Sequence, residues 1–159
     1  DKNVYAQGNK KCFDQSDTIP ISCGGTGKTS AATAAKALGY GKVLWSGGRW
    51  MEASHTNTLS EKISEQPHGI VLIFSEYKDD AVQEYGWNHF FIPKSWISGH
   101  EGYGCAFTMN AGNFGAVCCK YLYIFDAKIT GADSNKGNGS NNGITYDNRR
   151  YMLRYVMGV

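Results

Sequence analysis

From Lys42 onward the chain is a succession of short apolar runs broken by glycine, proline and polar clusters, and this rhythm limits its fold more than any other feature. Residues 43–46 (Val-Leu-Trp-Ser) form the first run, and residues 56–63 alternate loosely around Leu59 and Ile63. Residues 69–77 (Gly-Ile-Val-Leu-Ile-Phe-Ser-Glu-Tyr) form the strongest. That segment is apolar on both faces, and it is too short and too β-branched to prefer a helix. Residues 89–93 and 95–98 predict a strand region interrupted by Pro93, and residues 105–109 and 116–119 a pair around a Gly-Asn turn. Residues 120–125 and 151–157 complete the series. Seven or eight short strands separated by turn signals predict an all-β fold, an antiparallel β-sandwich of jelly-roll-like topology. No helical stretch interrupts them, which argues against a doubly wound α/β sheet. The 20 glycines and the 10 Tyr, 7 Phe and 4 Trp suit a domain of tight turns and aromatic packing.

Residues 1–41 read differently, and we expect them to form a neck preceding a head domain at 42–159. The stretch up to Ser22 is polar and without sustained periodicity. A glycine turn at 23–27 leads into an alanine-rich helix, with Thr29 or Ser30 as N-cap and Gly39 at the C′ position. Ala31, Ala34, Ala35 and Leu38 share one face. A helix of about ten residues is marginal alone in water, and alanine buries little area, so this one needs close neighbours such as copies of itself.

Residues 23–30 (Cys-Gly-Gly-Thr-Gly-Lys-Thr-Ser) resemble a phosphate-binding loop. The leading glycine of that pattern would fall at Ser22, and the preceding segment is polar and carries Pro20 where a buried strand is required. A nucleotide hydrolase acting through Lys28 is therefore disfavoured. The net charge of +2 is scattered, which predicts neither a nucleic-acid nor an anionic-membrane partner. No apolar run approaches 18 residues and no signal peptide is visible. The chain starts at Asp1 without a Met, which suggests a piece of a longer protein. Cys12, Cys23, Cys105, Cys118 and Cys119 form an odd set with an adjacent pair, and read as small apolar residues of a protein made in a reducing cytoplasm. His55, His68, His89 and His100 lack metal-ligand spacing, so no metal or other cofactor is expected. Asp79-Asp80 would be a poor glycosidase pair, because adjacent carboxylates seldom flank a substrate from two sides. The polar, glycine-rich residues 132–143 read as a surface hairpin loop, with a binding loop as the alternative.

Residues 20–27 (Pro-Ile-Ser-Cys-Gly-Gly-Thr-Gly), followed by the Thr- and Ala-rich run ending at Leu38-Gly39, resemble the shaft-to-head junction of bacteriophage tail fibres and receptor-binding proteins. Residues 44–47, 66–74, 91–94, 120–124, 128–131, 142–148 and 153–159, taken in order, are similar to the terminal domain of tail or baseplate proteins from phages of Gram-positive bacteria. The resemblance implies a homotrimeric fibre tip in the virion, joined through its N-terminal shaft to other tail proteins. Its head would attach to a host cell-wall glycan such as a teichoic acid or polysaccharide. Two features of the residues agree with a trimer. Both faces of residues 121–125 are apolar, more than a lone sandwich of this size should bury. Arg154, inside an apolar strand, requires a carboxylate partner, a subunit boundary or an exposed edge.

Sugars lay their C–H faces on aromatic rings and give their hydroxyls to nearby polar groups. Tyr85, Trp87 and Asn88, then Trp96, then His100, Glu101 and Tyr103, are the places where aromatic and polar residues mix in loop-like sequence. Trp50, after a Gly-Gly-Arg turn, is a further candidate. Each ring has core or trimer-interface packing as its alternative role. The expected function is receptor binding without catalysis; the competing readings are a structural tip protein of the same fold and, more remotely, a wall-degrading glycosidase or nucleotide hydrolase.

Overall fold

The computed structural model describes residues 5–6, 10–11, 28, 30–38, 41–110 and 116–159. The chain divides into two units, Asp1–Tyr40 and Gly41–Val159. In the first, β1 (Tyr5–Ala6) pairs antiparallel with β2 (Lys10–Lys11). Helix α1 (Ala31–Ala37) follows. Of the two expected caps Ser30 serves: its Oγ accepts from the Thr33 N–H at 3.2 Å. Lys28 is exposed. The glycine turn at 23–27, Thr29 and Gly39 lie outside the described residues.

The second unit is mostly β-sheet. One sheet is built from β3 (Lys42–Arg49), β13 (Tyr151–Gly158), β5 (Gly69–Lys78) and β6 (Ala81–Val82), with β7 (Asn88–Pro93) also on β5. The other is ordered β11 (Asn138–Asn141), β12 (Ile144–Asp147), β9 (Ala116–Ile124), β10 (Lys128–Thr130) and β4 (Thr56–Thr58), with β8 (Tyr103–Asn110) along β9. The two sheets share one core. Ile70, Leu72, Phe74, Leu153 and Val156 line it from the first sheet, and Phe107, Met109, Leu122, Ile124 and Ile129 from the second. The Phe74 ring lies 6.4 Å from that of Phe107. Each such side chain fully withdrawn from water contributes about 1.5–3 kcal/mol, before the entropy of ordering it.

Several expectations are corrected. Residues 95–98 are not a strand. Pro93 has no N–H for the ladder, and the chain turns there into a 3-10 segment (Lys94–Trp96) and helix α2 (Ile97–His100). Only Thr56–Thr58 of residues 56–63 is extended; Ile63 enters the core from a 3-10 turn. Residues 116–119 and the strand that follows are one strand, β9. The sheets are not purely antiparallel, since β12 runs parallel to β9 through Thr145↔Ala116 and Tyr146↔Val117. The hairpin expected at residues 132–143 is present as β11–β12, but it is extended by pairing as far as Asp147 and preceded by a 3-10 turn (Asp133–Lys136).

That 3-10 turn solves a problem on β9. One edge of β9 is covered by β8 along its length. On the other edge β12 pairs only Ala116 and Val117, and β10 only Tyr123 and Ile124. The gap is closed by two carboxamides. Asn135 accepts the Tyr121 N–H at 2.6 Å and donates to the Tyr121 carbonyl at 2.8 Å, as a strand partner would. Asn148 accepts the Cys119 N–H at 2.8 Å. Between them Lys120 turns inward with no exposed surface, and its ammonium donates to the carbonyls of Trp50 (3.3 Å), Asn135 (2.9 Å) and Asn148. Three N–H donors thus meet three acceptors from three separate segments.

Burial pushes the Lys120 amine down to about 8, with Cys118, Asp147 and Cys119 pulling it back up. Removing the ammonium leaves three carbonyls without their donor, so Lys120→Met is expected to cost about 3 kcal/mol in urea unfolding. A loss below about 1 kcal/mol would show that the carbonyls find other partners. The folded pKa lies below the ordinary Lys value, so above about 8 the unfolded chain holds more protons than the folded one. Stability contributed by Lys120 is therefore complete above its ordinary value of about 10.5 and is lost as pH falls toward about 8. The gap between wild type and Lys120→Met should accordingly be wider at about pH 10 than at about pH 7.

Candidate functional site

The register of the first sheet defines its outer face. Tyr155 pairs with Ile73 and Ile73 with His89; Met157 pairs with Val71 and Val43, and Val71 with Phe91. Paired residues point the same way, so these side chains form one largely apolar surface opposite the core. This explains why residues 69–77 are apolar on both faces. At one end of this surface lies a groove of about 410 Å³ lined by Val43, Ile73, Trp87, His89, Tyr155 and Met157. Trp87 precedes β7, and its ring stands 6.2 Å from that of Tyr155 at 31°.

Arg154 sets the geometry of the aromatic wall. Its guanidinium lies 5.5 Å from the Trp87 ring and 5.7 Å from that of Tyr155. It donates to the Gly47 carbonyl (3.1 Å), Ser75 Oγ (3.0 Å), the Gln83 carbonyl (3.4 Å) and Glu84 (2.9 Å). The charge inside an apolar strand therefore has its carboxylate within the same chain. Glu84 is itself 73 % exposed, so the pair reaches water at one end. The groove offers two aromatic rings, each contacted by the Arg154 guanidinium, together with aliphatic walls and an imidazole, a combination suited to a ring-shaped ligand with an apolar face and polar edges.

The expected site residues do not converge on one place. Trp87 lines the groove, and Tyr85, 49 % exposed, lies two residues before it. Asn88 is committed to structure, donating to the Gly86 carbonyl at 3.0 Å and bonding the Tyr151 hydroxyl. Trp96, His100 and Tyr103 form a second cluster past the other end of β7, which spans about 17 Å. Trp96 stacks on His100 at 4.5 Å, and His100 meets Tyr103 edge-on at 5.8 Å. Glu101 accepts the Asp126 N–H at 3.1 Å and so holds a turn. Trp50 is apart from both: its indole donates to the Arg149 carbonyl at 3.1 Å, and it packs edge-on against Tyr77 at 5.1 Å. Asp79 and Asp80 both adopt positive φ, 53° and 56°, in the two-residue turn between β5 and β6.

Sequence reasoning missed Tyr155 and His89 as groove residues, and Arg154 as the support of its two rings. Strict alternation along 151–157 would put Tyr155 on the face of buried Leu153; the register shift at Arg154 turns it outward instead, and nothing in the sequence signals that shift. Among the described residues no group of three His, Cys, Asp or Glu is placed to hold a metal ion, and no helix is long and apolar enough to cross a membrane. Neither a protein-family model nor a curated protein matches this chain.

Arg154→Ala, which strips four acceptors of their donor, is expected to lower stability by about 2 kcal/mol and to shift the Trp87 fluorescence. Glu84→Gln, at an exposed partner, should change stability by less than about 0.5 kcal/mol. Equal effects of the two in chemical denaturation would contradict this division.

Proposed function

We propose that this chain is the head and neck of a bacteriophage tail receptor-binding protein, jelly-roll-like and trimeric, which attaches the virion to a saccharide of a Gram-positive host cell wall without catalysis. The observation that carries the reading is the open groove at Trp87 and Tyr155, with Arg154 buttressing both rings and His89 beside them. A saccharide ring would lie against Trp87 and Tyr155, with His89 and the exposed Glu84 within the polar margin. The ordered likeness to phage terminal domains supplies the biological setting. Retention of the purified protein on Gram-positive cell walls tests it: Trp87→Ala should weaken binding about tenfold or more. Absence of retention on every wall tried, or full retention by this variant, would overturn the groove as the receptor site.

A second reading is favoured by one observation. On the same outer face Phe91 is 54 % exposed and Val43 47 %, which suits cover by another subunit more than a hydrated site. On that reading the domain is a structural tail-tip protein and the face belongs to a trimer contact. Light scattering should give three times the chain mass of 17.5 kDa under either reading. A mass equal to one chain would remove the trimer from both. Protection of the Trp87 indole from a soluble quencher in the trimer would favour the structural role; full accessibility would favour the binding role.

A further inference from the structure

The second sheet carries a concavity on its own outer face, far in topology from Trp87. Val117 and Cys119 form its floor from β9, where the register alternates Cys118, Lys120 and Leu122 inward and Val117, Cys119 and Tyr121 outward. Tyr146 and Ile144 of β12 form one wall, and Asn141 and Asn142 the rim. The space is about 400 Å³, within the range of small-ligand sites.

Three features fit it to a ligand. The Tyr146 ring lies across Gly139 of the paired strand: a Cβ there would come within 2.8 Å of the hydroxyl and 3.1 Å of the ring carbon bearing it. The absence of a side chain at 139 is thus what allows the ring to lie down on the sheet. Ile144 is 59 % exposed beside it, an apolar surface left open to water. The rim is set by the turn of the β11–β12 hairpin, where Asn142 and Gly143 both adopt positive φ, 49° and 78°. This two-residue turn holds Asn142 at the lip. Neither the Asn141 nor the Asn142 carboxamide has a hydrogen-bond partner among the described residues, whereas Asn135 and Asn148 are fully engaged.

A flat phenol ring, an exposed aliphatic neighbour and two unengaged carboxamides match a pyranose: the C–H face rests on the ring and the hydroxyls bridge donor and acceptor atoms of the amides. We propose that this concavity is a second saccharide site, selective for a neutral hexose or N-acetylhexosamine, since no cation lines it. It extends the reading above and does not depend on the groove at Trp87.

The test is a titration of the 15N-labelled protein, in separate experiments, with glucose, galactose, N-acetylglucosamine and N-acetylgalactosamine. At least one sugar is expected to move the Asn141 and Asn142 side-chain NH2 resonances, and to move them equally in Trp87→Ala. Tyr146→Ala should weaken that response about tenfold. Asn142→Gly, which keeps the turn while deleting the carboxamide, should weaken it about fivefold. If none of the four sugars moves these resonances, or if the response survives both Tyr146→Ala and Asn142→Gly, the site is refuted. Movement of the Trp87 indole alone would refute this site and leave the first groove standing.

Discussion

The unit Gly41–Val159 is organised around a buried ammonium. Lys120 sits in the middle of β9 with its charge held by the carbonyls of Trp50, Asn135 and Asn148. Those carbonyls belong to the end of β3, to the 3-10 turn after β10 and to the turn before β13. A hydrophobic side chain at 120 would fill the space but hold none of these segments. Desolvating a charge is costly, and using all three donors offsets only part of that cost, as the lowered pKa of about 8 records. The carboxamides of Asn135 and Asn148 then serve as surrogate strand, satisfying β9 where no strand lies beside it. The hairpin β11–β12 is thereby fixed against the sheet that carries its neighbour.

With that sheet pinned, the two outer faces acquire different characters. The first is apolar and aromatic, with Arg154 bracing Trp87 and Tyr155. The second carries tyrosines laid on the strands, with amides at the margin. The five-stranded face suits either a ligand or a neighbouring subunit, and the rim of free carboxamides on the other suits a ligand alone. Both faces follow from strands whose outward positions are as apolar or aromatic as their inward ones, as in residues 69–77 and 120–125.

Much of the β character was legible because strands of this kind announce themselves locally. Residues 69–77 needed only β-branched content and bounding turns, and residues 151–157 a short run of aromatic and aliphatic residues. The helix at Ala31–Ala37 was legible from its cap and its alanine spacing. What was not legible depends on tertiary contacts. The 3-10 turn at Asp133–Lys136 has the composition of a loop, and only the gap along β9 gives its Asn135 a strand-like task. Residues 95–98 have strand-like content, but Pro93 ends the ladder before them. The inward place of Lys120 follows from its phase with buried Cys118, Leu122 and Ile124, which the structure shows. At the site, Trp87 was visible as an aromatic in polar sequence. Its partners Tyr155 and Arg154 lie nearly seventy residues away and join it only through the pairing of β13 with β5. Asn88 and Glu101 looked like ligand groups and are backbone supports.

We propose that the surface at Trp87 and Tyr155 receives a wall saccharide. A crystal structure of the protein soaked with fragments of a Gram-positive cell-wall polysaccharide tests it most directly. The expected result is a sugar ring stacked on Trp87 or Tyr155 with a polar contact to His89 or Glu84. A groove filled instead by side chains of a neighbouring subunit, with no sugar bound at it, would contradict the claim.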